Sequence, residues 1–374
     1  MHILFTFKET VSQIRSIYSS ESVLKNHGGS ILSLTILNKL ILTLDKFGQF
    51  IGKTSERITV REKGDLVQEV PFFQVEQILV VGNGISFSSD LINECAERGI
   101  PITFLTSTGK PLARLASPDL VGTVATRREQ LLAYSDRRSV LLAKLFIEGK
   151  IRNQMSTLKY FARHRKEANR EVYEKICQGN DKLESLLKEC DSLDGAKIDE
   201  VRELLLSIEG RAASVYWEIV GEIFPAELNF TGRERRGATD PVNSALNYGY
   251  GILYSQIWNA VVLAGLDPFA GFLHADRPGK PSLVLDLIEE FRSFVVDRTV
   301  ISYFSKGGSL KMDGDCIADD ARRDLGNRVL NRLNEEERFK GKKHKVRTIV
   351  QLQSRHLATF LRGEGKYKPF VGSW

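Results

Sequence analysis

The chain has 374 residues, of which 42% are hydrophobic, and its 53 basic and 47 acidic residues give a formal net charge of +6. This length is enough for two domains of ordinary size, and the even spread of apolar residues excludes a largely disordered chain. The small basic excess permits a polyanionic partner without requiring one. No apolar run approaches the roughly 20 residues that span a bilayer, and the N-terminus lacks the order of a signal peptide. We therefore expect a cytoplasmic protein with no membrane partner.

The four cysteines are widely separated, and no two of them form a CxxC pair: Cys95, Cys177, Cys190 and Cys316. Such spacing matches neither a zinc site nor a dense disulfide framework, so we expect reduced thiols. A glycine-containing turn at Gly82–Gly84 resembles a dinucleotide fingerprint, but Phe87 stands at the third glycine position. The geometry that cradles a pyrophosphate needs that glycine, so the pattern favours a plain strand-to-helix turn.

Short apolar runs separated by turn residues extend from about Ser30 to Ala116. Alternation of apolar and polar residues in several of them predicts half-buried antiparallel strands, with one helix at Ser88–Arg98. The predicted strands are Ile31–Ile36, Lys39–Leu44, Gln49–Gly52, Arg57–Arg61, Leu66–Val70, Gln77–Val81 and Ile102–Leu105. We expect a small β-rich domain over residues 1–118, in which residues 1–29 form an extension that the sequence does not place.

Beyond Pro118 the apolar spacing changes to a period of about 3.6 residues, which is typical of amphipathic helices. The predicted helices are Ala125–Gly149, Ile151–Glu167, Leu183–Ser192, Ile198–Phe224, Ser244–Ala264, Ser282–Asp297, Ala318–Leu333 and Val346–Leu361. The expected fold class is therefore α+β, with the small β-rich domain followed by a larger all-α catalytic domain over residues 119–374.

Glu209 lies on an otherwise apolar face of the predicted helix Ile198–Phe224, together with Leu205 and Tyr216. A carboxylate there needs a partner or a metal, because burying a bare charge is expensive. A half-exposed, salt-bridged glutamate at the edge of the stripe explains the same pattern. The helix alone leaves both interpretations open.

Three further residues complete a candidate site. His274 stands where an apolar segment enters a turn-rich loop, which is a reasonable position for a ligand or an acid–base group. Asp286 and Glu289 are three residues apart on the next helix and project from one side of it. An ordinary solvated face would look the same. Carboxylates with one imidazole suit Mg²⁺ or Mn²⁺ rather than structural zinc.

Basic residues form clusters that could neutralise phosphates close to such a site. Arg277 and Lys280 follow His274 in its loop, and further groups lie on one helical region and near the C-terminus. These groups are Arg152, Lys159, Arg163, Arg165 and Lys166, and Arg338, Lys340, Lys342, Lys343, Lys345 and Arg347. Charge runs of this kind are usually solvated surface, so the clusters alone do not show whether they bind phosphates.

Five ordered segments resemble the signatures of one known family: Ser207–Tyr216, Asn243–Tyr254, Gly265–Pro268, Gly271–His274 and Leu285–Arg292. The family is the universal CRISPR-associated integrase, the first of the numbered Cas proteins. Its members pair an N-terminal β domain with a C-terminal helical domain. The resemblance covers the chain from about Ser30 to the C-terminus. About 30 residues precede the first predicted strand here, whereas the family usually begins close to that strand.

The resemblance implies that Glu209, His274 and Glu289 are ligands of Mg²⁺ or Mn²⁺, and that Asp286 is an acidic residue that supports the site. It implies a metal-dependent DNA integrase and endonuclease that inserts short duplexes from invaders into the repeats of a CRISPR array. The nucleophile would be a DNA 3′-hydroxyl. The implied partners are the incoming duplex, the CRISPR repeat, a second copy of the chain in a homodimer, and the small second numbered Cas protein. The residues expected to contact nucleic acid are Arg211, Tyr216, Arg277, Lys280, Arg292, Lys342, Lys343 and Lys345.

Two other functions stay open at this point. A structure-specific nuclease that hydrolyses branched or single-stranded DNA could use the same metal site with water as the nucleophile. A non-catalytic DNA-binding scaffold would require the acidic set to be a surface stripe. The family resemblance favours the integrase.

Overall fold

A computed structural model of the protein describes residues 40–117, 124–163, 165–234, 238–314 and 316–373. The extension at residues 1–29 and the predicted strand Ile31–Ile36 lie outside the described residues. So does residue 118, at which we place the boundary between two domains. The division of the chain at that point stays a prediction.

Residues 40–117 form a β-rich region with one helix, as the sequence predicts, and its strands make two four-stranded sheets. The strands are β1 (Leu40–Leu44), β2 (Gln49–Thr54), β3 (Arg57–Glu62), β4 (Asp65–Pro71), β5 (Val75–Val81), β6 (Ser86–Phe87), β7 (Ile102–Leu105) and β8 (Pro111–Leu115). One sheet has the order β1-β5-β7-β8 and the other has the order β4-β3-β2-β6. Helix α1 (Ser89–Glu97) begins where the Ser88 side chain accepts a hydrogen bond from the backbone N–H of Leu91 at 3.3 Å.

The expectation of antiparallel strands, made for several of the early runs, holds for β2, β3 and β4 but is wrong for β1. Strand β5 pairs in parallel with β1 and with β7, and only β8 is antiparallel to its neighbour β7. In the second sheet β2, β3 and β4 are antiparallel, while β6 joins β2 in parallel. Alternation along one strand shows that one face is buried, but it carries no information on the direction of the strand beside it.

Strand β5 separates the two hydrophobic cores. Ile78 and Val80 face the core of the β-rich region, whereas Leu79 and Val81 face the core of the helical region. Side chains alternate across a strand, so burial of all four residues means that both faces of β5 are covered. The helices therefore pack directly on the central strand of this sheet.

The rest of the described chain is mainly helical. Its helices are α2 (Val124–Ala133), α3 (Arg137–Ala162), α4 (Arg165–Ala168), α5 (Arg170–Ser192), α6 (Arg202–Ile223), α7 (Pro241–Leu263), α8 (Ser282–Phe291), α9 (Arg298–Ser305), α10 (Asp319–Asn334) and α11 (Val346–Leu361). Two short hairpins interrupt them, β9 (Met312–Asp313) with β10 (Cys316–Ile317), and β11 (Glu336–Phe339) with β12 (Lys342–Lys345). In the part of the chain that the structure describes, no helix is long and apolar enough to span a membrane.

Two local deviations from the predicted helices shape the site. Helices α2 and α3 break at Asp136, whose carboxylate accepts a hydrogen bond from the backbone N–H of Arg138 at 2.8 Å, and α3 then runs without interruption through Lys150. Helix α8 ends at Phe291, and residues Arg292–Asp297 form a π-helical turn before α9 begins. A π turn carries an extra residue per hydrogen-bonded ring, so it changes which residues face the core.

The β-rich region and helix α7 meet at two glycines. Gly109 lies in a turn with φ of +82°, and a Cβ on Gly251 would stand 1.7 Å from the Gly109 carbonyl oxygen. Only glycine permits this approach of backbone to helix. Nearby, the Gln256 amide donates to the Gln77 side-chain oxygen at 2.5 Å, which links α7 to β5.

Candidate active site

Glu209 occupies the middle of α6, on the face that packs into the helical core. Leu205, Ala212 and Tyr216 on this face are fully buried, while the Glu209 side chain is 16% exposed. Its carboxylate does have a partner, as its position on an apolar face requires. That partner is the ammonium of Lys150 on α3, which donates to Glu209 Oε1.

Lys150 is a site residue that our sequence interpretation missed. It is 6% exposed, and its Nζ lies 2.8 Å from Glu289 Oε2 in addition to its bond with Glu209. One sequence signal could have revealed it. Lys150 follows Phe146 and Ile147 by four and three residues, so it shares their buried helix face, and a buried lysine requires acidic partners.

Glu289 is the most buried of the predicted ligands, at 3% exposure. Burial opposes its ionisation, but the Arg292 guanidinium and the Lys150 ammonium outweigh burial and hold the pKa of the Glu289 carboxyl well below its usual range. Arg292 Nη1 lies 3.1 Å from Glu289 Oε1. Glu289 is therefore a carboxylate rather than a carboxylic acid.

Asp286 holds the loop that carries His274. Its fully buried carboxylate accepts hydrogen bonds from the backbone N–H groups of Phe272 at 2.6 Å, Leu273 at 3.0 Å and His274 at 2.9 Å. The same carboxylate lies 2.7 Å from His274 Nδ1. An ionised carboxylate only accepts, so this contact places the proton of a neutral imidazole on Nδ1 and leaves the Nε2 lone pair free.

The acidic stripe of α8 and the following π turn is not a solvated face. Asp286, Glu289, Glu290, Ser293 and Asp297 are all at most 3% exposed. Each carboxylate instead has its own set of buried partners, and burial of Glu290 raises the pKa of its carboxyl to about 7. A non-catalytic scaffold would require these acidic residues to be exposed on the surface, and they are buried.

Asp297 anchors the π turn from within the core. The Tyr216 hydroxyl donates to Asp297 Oδ2 at 3.1 Å and the Tyr250 hydroxyl donates to Asp297 Oδ1. Burial raises the pKa of the Asp297 carboxyl, against the opposing effect of these two hydroxyls. Since α6 and α7 each supply one tyrosine, Asp297 fixes α8 and its π turn relative to both helices.

The predicted ligands are brought together only in part. Across residues 40–117, 124–163, 165–234, 238–314 and 316–373, no three His, Cys, Asp or Glu side chains form a cluster able to hold a metal ion. Glu209 and Glu289 do share one buried cation, the Lys150 ammonium. Their carboxylate oxygens are the donor type that Mg²⁺ and Mn²⁺ prefer, but the described structure does not bring His274 into a three-residue cluster with them.

Two predicted nucleic-acid contacts lie inside the site rather than on its surface. Tyr216 is fully buried and bonded to Asp297, so the expectation that it contacts DNA is corrected: its side chain has no exposed surface and serves to position the π turn. The Arg292 side chain keeps 24% exposure while it pairs with Glu289 and stacks over the Tyr250 ring at 5.0 Å.

The other predicted contacts are on the surface. Arg211 is exposed on α6 and pairs with Glu189, and Arg277 and Lys280 lie in the turn after His274. Lys342, Lys343 and Lys345 lie on β12, where they face Phe339, Arg338 and Glu336 on β11. This hairpin packs on α11. Contact with nucleic acid stays a prediction for these six residues.

Two clefts open along the helices that carry the paired carboxylates, and neither carboxylate lines them. A cleft of about 610 Å³ is lined by polar and aromatic groups that include Lys110, Tyr250 and Arg292. A second, of about 810 Å³, is lined by Gly210, Trp217 and Arg233, next to Glu209 along α6. Arginines and aromatic rings beside a carboxylate site are groups that pair with phosphates and stack on bases.

Comparisons with known proteins agree with the family resemblance. The family model described as CRISPR associated protein Cas1 matches residues 42–322. CRISPR-associated endonuclease Cas1 1 of Archaeoglobus fulgidus is 41% identical over 347 residues, which cover 89% of this chain and 99% of the relative. A structure titled casposase bound to integration product has a TM-score of 0.74 at 26% identity and covers 88% of this chain and 93% of its own. A chain of a Cas6-RT-Cas1–Cas2 complex has the same fold, with a TM-score of 0.72 at 21% identity over 93% of this chain and 37% of that one. The protein therefore belongs to the CRISPR associated protein Cas1 family.

Proposed function

We propose that this protein is a DNA integrase that joins short duplexes to the repeats of a CRISPR array, with Mg²⁺ or Mn²⁺ bound by Glu209, Glu289 and His274. The strongest support for the proposal is the relative position of two carboxylates. Glu209 on α6 and Glu289 on α8 converge on a single buried cation, although 79 residues separate them in the chain. Carboxylate oxygens that converge on one positive charge are the donor type that a catalytic Mg²⁺ or Mn²⁺ uses.

The reaction exchanges one phosphodiester for another. The oxygen of an incoming DNA 3′-hydroxyl forms a bond to a phosphorus of the repeat, and the bond between that phosphorus and the repeat's own 3′-oxygen breaks. The proton leaves the attacking hydroxyl, and the departing oxygen takes one up. The number of phosphodiesters does not change, so the exchange needs no nucleotide cofactor.

The residues of the chain have separate tasks in this exchange. Asp286 holds the imidazole of His274 so that Nε2 presents a lone pair, and Arg292 keeps Glu289 ionised and in place. Glu209, Glu289 and His274 would hold a divalent cation, which would supply Lewis acidity to the exchange. Pre-organisation by buried partners matters because a site that is already ordered has no reorganisation cost during the reaction.

The proposed partners are DNA and the small second numbered Cas protein. The two clefts beside Glu209 and Arg292 supply cationic and aromatic groups for a DNA strand near the paired carboxylates. The casposase is bound to an integration product, and the Cas6-RT-Cas1 chain belongs to a complex with Cas2. We propose the same two partners here, together with a homodimer of this chain, as the family resemblance implies.

Hydrolysis of branched or single-stranded DNA is the second candidate function. It is favoured by the name of the Archaeoglobus fulgidus relative, which is an endonuclease. The same carboxylates and imidazole would serve water as readily as a DNA hydroxyl, because both nucleophiles are oxygens that lose a proton.

A strand-transfer assay separates the two functions. Supercoiled plasmid with a CRISPR array is incubated with a labelled short duplex, Mn²⁺ and the companion protein, and the products are resolved on a denaturing gel. We expect label joined to plasmid with a 3′-hydroxyl duplex and none with a 3′-deoxy duplex. Nicking of the plasmid without joined label, in the presence of the companion protein, would contradict the integrase and favour the nuclease.

A further inference from the structure

Lys150 is a buried cation to which neither the sequence motifs nor the comparisons assign a role. Its ammonium bonds to Glu209 Oε1 and lies 2.8 Å from Glu289 Oε2, so it stands between the two carboxylates proposed to hold the metal. We propose that Lys150 is an internal counter-cation that keeps this carboxylate pair assembled in the metal-free protein and competes with the divalent cation for it. The inference rests on the proposed metal site.

Electrostatics explain why the site needs a resident cation. Glu209 and Glu289 approach the same point from two helices, and Glu289 is almost fully withdrawn from water. Two like charges this close repel, and an unpaired buried carboxylate is strongly destabilising. Arg292 pairs with Glu289 alone, whereas Lys150, on a third helix, contacts both carboxylates and so offsets their mutual repulsion where α3, α6 and α8 meet.

The ammonium and a divalent cation cannot share the position. Mg²⁺ binds carboxylate oxygens at about 2.0–2.1 Å, and the Lys150 Nζ already lies 2.8 Å from Glu289 Oε2. Among the described residues, Glu289 Oε2 is a buried oxygen with no partner in hydrogen-bonding geometry, despite this close ion pair. That oxygen is therefore held electrostatically by Lys150 and is available to a new ligand once the ammonium withdraws.

A place for the displaced ammonium lies one helical turn away. A small polar cavity is lined by Lys150 together with Gln154 and Ser293. In the part of the chain that the structure describes, Gln154 Oε1 and Ser293 Oγ are buried and have no hydrogen-bond partner. Buried acceptors without partners are costly, so an ammonium that moves toward them gains two oxygens, which offset its repulsion by Arg233 and Arg292 in the same cavity.

The test measures Mn²⁺ binding to the full chain without DNA, by titration calorimetry, in Lys150→Met, Lys150→Arg and the native protein. Lys150→Met removes the competing charge and should bind Mn²⁺ at least about tenfold more tightly, a change of about 1.4 kcal/mol. Lys150→Arg keeps the charge and should not bind more tightly than the native protein. Lys144→Met is the matched control on the same helix, since Lys144 donates to the carbonyl oxygens of Asp191 and Leu193, and its affinity should equal the native value.

Thermal unfolding gives a second readout that does not depend on activity. In chelator, Lys150→Met should unfold at a lower temperature than the native protein, and Mn²⁺ should raise its Tm by more than it raises the native Tm. If the variant does not fold in chelator, it is purified in Mn²⁺ and its affinity is obtained by competition with a chelator of known affinity.

Equal or weaker Mn²⁺ binding by Lys150→Met would overturn the inference. It would show that Lys150 either assists metal binding or only forms structural ion pairs. Failure of strand transfer by the native protein would instead overturn the proposed integrase activity, because the binding measurement contains no DNA. The two failures are therefore distinguishable.

Discussion

Replacing Asp286 with asparagine is expected to inactivate His274 while it leaves most of the fold intact. The Asp286 carboxylate is fully buried and accepts from three backbone N–H groups and from the imidazole. Asparagine has the same shape, but it offers an acceptor on one side only. The consequences for stability and for the imidazole can be worked out separately.

The cost in stability follows from which bonds survive. With its oxygen in the place of Oδ2, the asparagine still accepts from Phe272 and Leu273. Its amide NH₂ then faces the His274 backbone N–H, so one buried donor loses its acceptor at a cost of about 1–3 kcal/mol. The two surviving bonds also lose a charged acceptor. We expect a total loss of about 2–4 kcal/mol in the free energy of unfolding, measured by urea denaturation.

The effect on activity comes from the tautomer. An asparagine NH₂ beside His274 Nδ1 donates to that nitrogen, so the imidazole proton moves to Nε2 and removes its free lone pair. Loss of such an outer partner typically costs about 10- to 100-fold in metal affinity or activity. We expect strand transfer to fall by this factor at a temperature at which the variant is still folded.

Asp276→Asn is the matched control for this prediction. Asp276 lies in the same loop and accepts from the Ser282 hydroxyl at 3.0 Å, without contact to the imidazole among the hydrogen bonds of the described residues. It should keep strand transfer within about twofold of the native rate, since surface changes cost little. Native-like strand transfer by Asp286→Asn would refute the proposed role of Asp286.

Three further predictions address the fold and the surface. Gly251→Ala places a methyl group against the Gly109 carbonyl, 1.7 Å away before relaxation, and should destabilise the protein by about 1–3 kcal/mol in urea denaturation; an unchanged midpoint would show that the contact is not tight. Because the pKa of Asp297 is raised in the folded protein, its contribution to stability is complete below the unfolded value of about 3.9 and is lost as pH rises through the folded value. Asp297→Asn should lack this decline in pH-dependent melts, and an identical slope in both proteins would contradict the assignment. Charge reversal at Lys342 and Lys343 should weaken duplex binding and flatten its salt dependence, by about 0.9 in log–log slope for each lost phosphate contact; an unchanged slope would make this hairpin plain solvated surface.

Gly210, on helix α6, provides a control for Gly251, which lies on α7. A Cβ on Gly210 would meet nothing within 4 Å, and the residue is exposed in the middle of the helix. Gly210→Ala should therefore stabilise the protein by about 0.5–1 kcal/mol, because alanine has the higher helix propensity. A loss of stability comparable to that of Gly251→Ala would show that both changes act through the helices rather than through the close contact.

The period of apolar residues was sufficient to predict most elements. Ile102–Leu105 and Val346–Leu361 are observed with the predicted bounds. Direction was missed, because alternation in a half-buried strand is the same beside a parallel or an antiparallel neighbour. The continuous apolar run Ile78–Val81 in β5 is instead typical of a strand covered on both faces, as in parallel sheets. The π turn after Phe291 was also not predictable, since it depends on Asp297 meeting tyrosines from α6 and α7, which are distant in sequence.

The site shows a similar division. Glu209, His274 and Glu289 were identified through motifs that resemble a known family, because each side chain alone has an ordinary explanation. The supporting role of Asp286 fits its four hydrogen bonds to the His274 loop. Lys150 was missed because it lies outside every motif. Only the packing of α3 against α6 and α8 brings its ammonium to the carboxylates.

The most direct test of the account compares strand transfer by the native protein and by Glu209→Gln, with Glu203→Gln as an exposed control on the same helix. Labelled duplex with free 3′-hydroxyls, plasmid, companion protein and Mn²⁺ are common to all three reactions, and duplex binding is measured in parallel. We expect joined product from the native protein and from Glu203→Gln, and none from Glu209→Gln despite equal duplex binding. Joined product at the native level from Glu209→Gln would contradict the proposed metal site.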